Sequence, residues 1–395
     1  MNIIKNVNDL DKKYDFIVIG AGLSSSVFVS LAKEKYKILI IEKQSVIGGN
    51  LRTDNIEGVQ VHMKGAHLMH HNSDEIQKFL EKHCEWENYT HNVVAETGNE
   101  MVQLPFNLMT FRQLFKDCVS ISDIKNRIDL EIKEYGLINQ PLNLEEQAIS
   151  MVGTTIYNKL IKGYTEKQWG KKCTDLPANI IKRLPLRFNF DNTYFNEAKY
   201  QILPKDGSYT NFIQNMLQSE ENVDILLNYN WNINDKNLLL KNNLKENGKV
   251  IYSGPIDELL NYEYGYLEYR SLQFDIEVHK NTDNYQGNSV VNYTNSNVKY
   301  TRIIEHNHFK PNIKNRYAVT TTEYPIDYIP NVTEPYYPIS DDRNKELYKK
   351  YQKLALEKFP NTVIIGRLGL YVYIDMHQCI NMTLKTTEKI LNEYN

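Results

Sequence analysis

Read for its pattern of apolar and polar positions, the chain declares itself first at Asp15-Phe16-Ile17-Val18-Ile19. This run is too short for a helix and apolar on both faces, as a strand inside a parallel sheet must be. Gly20-Ala21-Gly22-Leu23-Ser24-Ser25-Ser26 follows, and the apolar-rich stretch Val27 to Ala32 reads as a helix. A second apolar run, Lys37 to Ile41, ends at Glu42. Strand, glycine-rich turn, helix, strand and acid within about thirty residues make a βαβ unit. Asn72-Ser73-Asp74-Glu75 predicts a capped helix start, and Thr110-Phe111-Arg112-Gln113 predicts another. From Thr110 to Tyr164 breakers are few and the pattern is mostly helical, as expected of an inserted α domain. Val223 to Tyr252 changes to strand and turn, with Asn247-Gly248 as the turn signal, and Gln273 to Ile304 continues β-rich. Lys345 to Lys358 predicts a helix, Val363 to Ile365 a buried strand, and Asp375 to Tyr394 a closing helix. There is no internal repeat and no low-complexity linker, so the domains are expected to interleave, the C-terminal end completing the N-terminal unit.

Composition narrows the function classes. At 395 residues the chain is long enough for two or three domains and a sizeable core. The 46 Lys+Arg nearly balance 49 Asp+Glu, which excludes a general nucleic-acid coat. No run approaches the ~18 apolar residues of a membrane span, and mean hydropathy is −0.53. Met1 to Lys13 lacks an apolar core and carries Asp9 and Asp11, so no signal peptide is expected. Cys84, Cys118, Cys173 and Cys379 form no C-x-x-C pair, which suggests reduced thiols in a cytosolic protein. The 28 Tyr against 13 Phe and 3 Trp admit two readings, compositional drift or a roomy polar pocket lined with rings.

The chemistry-bearing motifs begin with Gly20-x-Gly22-x-x-Ser25. In a dinucleotide turn the first glycine makes the bend and the second lets backbone approach a pyrophosphate on the helix N-terminus. Ser25 stands where a third glycine is usual, and Glu42 is placed to accept ribose hydroxyls. Ile47-Gly48-Gly49-Asn50, with Arg52 beyond, adds a second glycine pair of the kind that wraps FAD. The run His62-Met63-Lys64-Gly65-Ala66-His67-Leu68-Met69-His70-His71 admits a zinc site, but Lys64 and the lack of Cys or acid spacing favour a loop packed on a flavin. No metal is expected. Gly163-Tyr164-Thr165-Glu166-Lys167-Gln168-Trp169-Gly170 fits either a helix end with a core Trp or a surface stacking on a nucleobase. Arg183 and Arg187, in Ile181 to Phe188, suit a diphosphate or a solvated face.

Taken with Leu104-Pro105-Phe106-Asn107-Leu108, Tyr269-Arg270-Ser271-Leu272, Tyr300-Thr301-Arg302-Ile303-Ile304-Glu305-His306, Glu334-Pro335-Tyr336-Tyr337-Pro338 and Gly366-Arg367-Leu368-Gly369 through Tyr373 and Asp375, these stretches give the chain its resemblance to the prokaryotic UDP-galactopyranose mutases, in order and over essentially its whole length. The resemblance implies an isomerase that interconverts UDP-galactopyranose and UDP-galactofuranose for surface glycans such as lipopolysaccharide or cell wall. Reduced FAD is its cofactor, and flavin N5 is the nucleophile at the anomeric carbon. That accounts for the lack of a Ser/His/Asp triad or paired-carboxylate site.

The implied fold is α/β: an FAD-binding Rossmann-like parallel sheet with an inserted helical domain and an antiparallel β-sheet domain. The implied boundaries are 1–75 plus 205–250 and 355–395 for the FAD domain, 76–200 for the helical domain with a mobile lid near 171–195, and 251–354 plus parts of 85–108 for the antiparallel domain. The residues that carry over are Arg183, Arg302 and His67 for catalysis; Tyr164, Thr165, Trp169, Arg183, Tyr194, Asn292, Arg302, Tyr336 and Tyr373 for substrate, with Tyr337 a neighbour; and Gly20, Gly22, Leu23, Ser24, Glu42, Lys43, Gly49, Asn50, His67, Arg367, Tyr373, Asp375 and Met376 for the cofactor. A cytoplasmic homodimer is implied, binding a nucleotide sugar, with no nucleic acid and no membrane span, and reduced externally by a donor such as NAD(P)H.

The chain departs from the family pattern at Ser25, Met63, Lys64, Leu68 to His71, Leu160, Ile161 and Val372. These departures are expected to alter walls near the flavin and base. They leave a substrate such as dTDP-fucopyranose or UDP-N-acetylgalactosamine open. An FAD-dependent amine-oxidase-like enzyme and a non-catalytic sugar-nucleotide binder are the rival classes.

Overall fold

The structure is a computed structural model, and it describes residues 1–136, 139–181, 186–195, 197–219, 221–231, 239, 242–310 and 312–394. Six parallel strands form its first sheet, in the order Asn2–Ile4, Val223–Leu226, Ile38–Ile41, Tyr14–Ile19, Leu244–Tyr252, Thr362–Ile364. Alternation along the strands sorts side chains between two cores. Phe16, Val18, Ile38 and Ile40 face the helices Leu23–Ala32 and Met376–Tyr394, while Ile17, Leu39, Ile41 and Val250 face Asp342–Lys358. Both chain ends meet here: Tyr394 packs its ring against Phe16 and donates its hydroxyl to Asp15 Oδ1 at 3.1 Å. Strand order reverses between Tyr14–Ile19 and Leu244–Tyr252, so a crevice opens beyond their carboxyl ends at Gly20 and Ser253.

A seven-stranded sheet runs Tyr337–Pro338, Tyr269–His279, Ala318–Asp327, Arg302–Glu305, Val290–Tyr293, Val93–Glu96, Met101–Leu104. It departs from the fully antiparallel expectation at one pair. Val93–Glu96 lies parallel to Val290–Tyr293, because it enters from the N-terminal half of the chain instead of through a hairpin. Met69–His71, Tyr200–Pro204 and Trp86–Asn88 make a small antiparallel sheet, and Thr53–Ile56 pairs with Val59–His62 as a hairpin. The inserted helices are Leu108–Leu114, Ile121–Tyr135 and Leu144–Ile156, followed by a π-helical turn, Tyr157–Lys162, and the helix Gly163–Trp169.

Two local signals resolve differently from expectation. The helix assigned to Thr110 begins three residues earlier: Asn107 is its cap, and the Thr110 hydroxyl is the reciprocal partner that accepts the Asn107 N–H. The Asn247-Gly248 turn does not form. Both residues lie inside the strand Leu244–Tyr252, at a register irregularity where a Cβ on Gly248 would sit 2.7 Å from Leu244 Cδ1. Close packing on Leu244 and Asp15, and not a reversal, is the reason for that glycine.

The departures from the family pattern fall in different places. Leu160 and Ile161 are buried in the main core and do not border the crevice, contrary to expectation. Ser25 is fully buried and donates to Ser253 Oγ at 3.1 Å, so the small hydroxyl serves the close helix–strand contact a glycine would otherwise allow. The tyrosines divide too. Tyr14, Tyr157, Tyr209 and Tyr351 are core residues, and several core hydroxyls have partners, as Tyr14 does on Asp224 Oδ2 at 2.8 Å. Neither surface drift nor a pocket alone explains the count.

Candidate functional site

The crevice at the sheet's switch point is a cavity of about 600 Å³ that continues onto the seven-stranded sheet. Gly20 adopts φ +93°, a conformation reserved largely for glycine, and its Cβ position lies 2.5 Å from Ser253 Oγ. Gly22 caps the helix Leu23–Ala32 without any side-chain cap, which leaves its first amides free for a ligand. A Cβ on Gly22 would meet nothing within 4 Å, so the absent side chain is cavity space. Gly49 packs onto this turn, its Cβ position 3.2 Å from Gly22 Cα. Glu42 is buried, accepting the Ala21 N–H at 2.7 Å on one oxygen and the Gln44 N–H at 2.8 Å on the other. Burial raises its pKa, while the two backbone donors pull it back. Leu23, Ser24, Lys43, Asn50, Arg367, Asp375 and Met376 line the same cavity, so every residue expected at the cofactor reaches one space. These residues fit a dinucleotide: a bare helix N-terminus, a cradle lacking a side chain, and a carboxylate with spare lone pairs.

The far end of the cavity is built by register. Asn292 pairs with Arg302, and Arg302 with Glu323, which sets three polar side chains in a row across adjacent strands. Arg302 Nη2 lies 2.9 Å from Glu323 Oε1. Arg302 Nε, Asn292 Oδ1, His91 Nδ1 and the Glu323 carboxylate oxygens have no well-aligned hydrogen-bond partner among the described residues. Buried polar atoms in that state call for a polar partner, whether water, ion or ligand. Tyr164, Tyr194, Tyr336, Tyr337 and Tyr373 line the cavity around them. Burial pushes the Tyr164 hydroxyl up to about 12 and raises the other four, so all stay protonated and able to donate. Arg367 sits over the rings of Tyr336 and Tyr337, 5.4 and 5.6 Å from their centroids, and adds a second positive charge.

Between these ends lies the loop 62–67. Gly65 bends it with φ +90°, Tyr336 Oη donates to Lys64 O, and Lys64 Nζ pairs with Glu334 at 3.1 Å. His67 lines the cavity, and burial, aided by Arg367, lowers its pKa to about 4. Further along, His70 stacks on Phe195 at 3.9 Å and lies 3.7 Å from Asp375. His70, Asp375 and His377 bring possible ligand atoms within 4.8 Å of one another, a grouping the sequence spacing did not suggest. The Asp375 carboxyl is held below its usual range chiefly by His70.

Not every expected residue gathers here. Thr165 and Trp169 lie outside the cavity lining, and Trp169 packs against the main core. Arg183 falls outside the described residues. The neighbouring stretch 186–195 is tied down: Arg187 N–H donates to Phe106 O and Tyr194 N–H to His91 O, each at 2.9 Å. His91 and Glu323 were missed. His91 is an isolated residue with no local signal. Glu323 had one, a lone acid in the strand-like run Ala318 to Thr322, where an inward carboxylate needs a charged partner.

A family model described as UDP-galactopyranose mutase matches residues 159–373, and one described as an NAD(P)-binding Rossmann-like domain matches 18–83. The chain is 36% identical over 382 residues to a probable UDP-galactopyranose mutase of Klebsiella pneumoniae, covering 96% of this chain and 95% of that one. It is 34% identical over 375 residues to the dTDP-fucopyranose mutase of Escherichia coli, covering 94% and 97%. Among solved structures, a reduced UDP-galactopyranose mutase shares the fold, with TM-score 0.71 at 14% identity over 96% of this chain and 94% of that one.

Proposed function

The chain belongs to the UDP-galactopyranose mutase family and is an isomerase of the mutase class, and we propose that it interconverts UDP-galactopyranose and UDP-galactofuranose using reduced FAD. The observation that carries this reading is the joining of a dinucleotide turn and an Arg302–Tyr cluster in one cavity. When bound, reduced FAD supplies the nucleophile for the sugar's anomeric carbon. The protein's part is to bind, orient and stabilise charge. The free amides after Gly22 receive the dinucleotide's pyrophosphate, and Glu42 takes its ribose hydroxyls. Arg302, with Arg183, holds the substrate diphosphate as negative charge develops on it. Tyr164, Tyr194 and Tyr373 add neutral hydroxyl donors, which strengthen that grip without further charge, while Tyr336 spends its proton on Lys64 O and holds the loop beside them. Asn292, His91 and Glu323 offer acceptors to sugar hydroxyls. Two carboxylates positioned for acid–base hydrolysis are not required, because the leaving group returns to the same sugar.

A second reading has its own support. Identity to the dTDP-fucopyranose mutase is close to that with the Klebsiella relative, so a dTDP-sugar remains a candidate substrate. We further propose a cytoplasmic homodimer, reduced by an external donor such as NAD(P)H and serving surface-glycan assembly. The test is incubation of dithionite-reduced holoenzyme with UDP-galactofuranose, dTDP-fucofuranose and UDP-N-acetylgalactofuranose, followed by chromatography. Conversion of the first to its pyranose, only with reduced enzyme, is expected. Preferential conversion of another sugar moves the assignment to it. Net substrate oxidation by the oxidised flavin would overturn the mutase reading.

A further inference from the structure

Behind the loop that carries His67 lie two imidazoles which no step above uses, His62 and His306, each almost fully buried. Their hydrogen bonds run in one direction. The His67 backbone N–H donates to His62 Nδ1 at 3.1 Å, and the His62 backbone N–H donates to His306 Nδ1 at 3.3 Å. His306 Nε2 lies 2.7 Å from Thr321 Oγ1. Because Nδ1 of His62 and of His306 accepts, each of these rings carries its proton on Nε2. His67 is the opposite case. Its Nδ1 is 2.7 Å from Gly65 O, and a carbonyl can only accept, so Nδ1 carries the proton. Thr321 shares a strand face with Glu323, which ties the chain to the floor of the cavity. His62 is further clamped by stacking on Phe309 at 4.7 Å.

We propose that His62 and His306 are positioning residues that hold His67 in its Nδ1–H tautomer and leave its Nε2 as a hydrogen-bond acceptor on the cavity wall. Removing either link frees the loop backbone that sets Gly65 O opposite His67 Nδ1. Burial keeps all three rings neutral: it lowers His62 well below the usual range, His67 to about 4 and His306 to about 3. Arg367 and Arg302 add to this at His67, while Glu305 acts in the opposite sense at His306. An acceptor at that position selects a ligand N–H or O–H donor and disfavours a bare oxyanion. The catalytic consequence rests on the mutase reading above; the tautomer does not.

The experiment is two-bond ¹H–¹⁵N correlation spectroscopy on histidine-labelled, oxidised holoenzyme, with the His67 signals assigned by their loss in His67→Gln. A single Nδ1–H tautomer, unchanged from pH 8 to 5.5, is expected. An Nε2–H or mixed tautomer at His67 overturns the proposal. His306→Asn keeps an acceptor near the Nδ1 position and is expected to keep the tautomer. His306→Gln, which reaches Thr321 but leaves the His62 N–H unmet, is expected to mix it. It should also lower kcat by up to about 10²-fold with little change in KM. An unmixed tautomer in both His306→Gln and His62→Gln refutes the positioning role, and having two variants covers a failure of one to fold. If the tautomer is as expected but no nucleotide sugar turns over, the mutase reading fails and the histidine chain stands.

Discussion

Replacing Gly22 with alanine should abolish tight cofactor binding while leaving the fold intact. Gly22 has φ −88° and ψ −174°, which any residue adopts, and a Cβ there meets no atom within 4 Å. Two folding effects oppose each other. Alanine is a poorer helix cap than glycine, but it also restricts the unfolded chain, so the net change should stay within about 0.5 kcal/mol. The ligand feels the change differently. The new methyl occupies the space through which a pyrophosphate reaches the free amides of the helix Leu23–Ala32. Losing two charge-assisted hydrogen bonds costs about 3–6 kcal/mol, or roughly 10²–10⁴-fold in Kd. The assay is titration of apoprotein with FAD by fluorescence, alongside thermal unfolding of the same apoprotein. Gly20→Ala is the contrasting control. With φ +93° and a Cβ 2.5 Å from Ser253 Oγ, it should destabilise the apoprotein itself by about 1–3 kcal/mol. Wild-type FAD affinity in Gly22→Ala, or an apoprotein as unstable as the Gly20 variant, would refute the reasoning.

Three further outcomes are expected. Arg302→Ala should lower kcat at least about 10²-fold in a coupled turnover assay, since a charge donor to the leaving diphosphate is lost; unchanged kcat at saturating substrate rejects that role. Ser73→Ala removes the cap on Ile76 N–H, 3.2 Å from the Ser73 hydroxyl, and should cost about 1 kcal/mol in urea unfolding with no change in kcat. The third outcome concerns pH. His67, His91 and His306 have pKa values lowered by burial from 6.5 to about 4, 3 and 3. Between those values and 6.5 the unfolded chain binds protons the folded one does not, so stability is complete above about pH 6.5 and falls as the pH drops. The slope should approach ~1.4 kcal/mol per pH unit for each such histidine; equal urea midpoints at pH 7 and pH 5 would contradict it.

Much of the site was legible because its signals are local. The turn at Gly20 to Ser25, the acid at Glu42 and the cap at Ser73 act through neighbours within a few residues, and the structure shows the same short-range geometry. Where the chain's own surroundings compete, local signals misled. Asn247-Gly248 is a turn dipeptide, yet pairing of Leu244 with Tyr14 before it and of Lys249 with Phe16 after it holds it in a strand. The run Leu160-Ile161 suggested a cavity wall, but the π-helical turn points it into the core.

By itself, then, the sequence determined the dinucleotide turn, the alternation of strands and helices, and through resemblance the reaction class. Only tertiary structure decided that Asn292, Arg302 and Glu323 form a row, because that depends on the pairing register of three successive strands, which no local pattern specifies. Tertiary structure also decided which tyrosines serve the core and which the cavity, and that His67 is oriented from behind by His62 and His306. Burial and partner geometry, which set the cost of an unmet polar atom, belong to the folded surroundings and not to the residue's place in the chain.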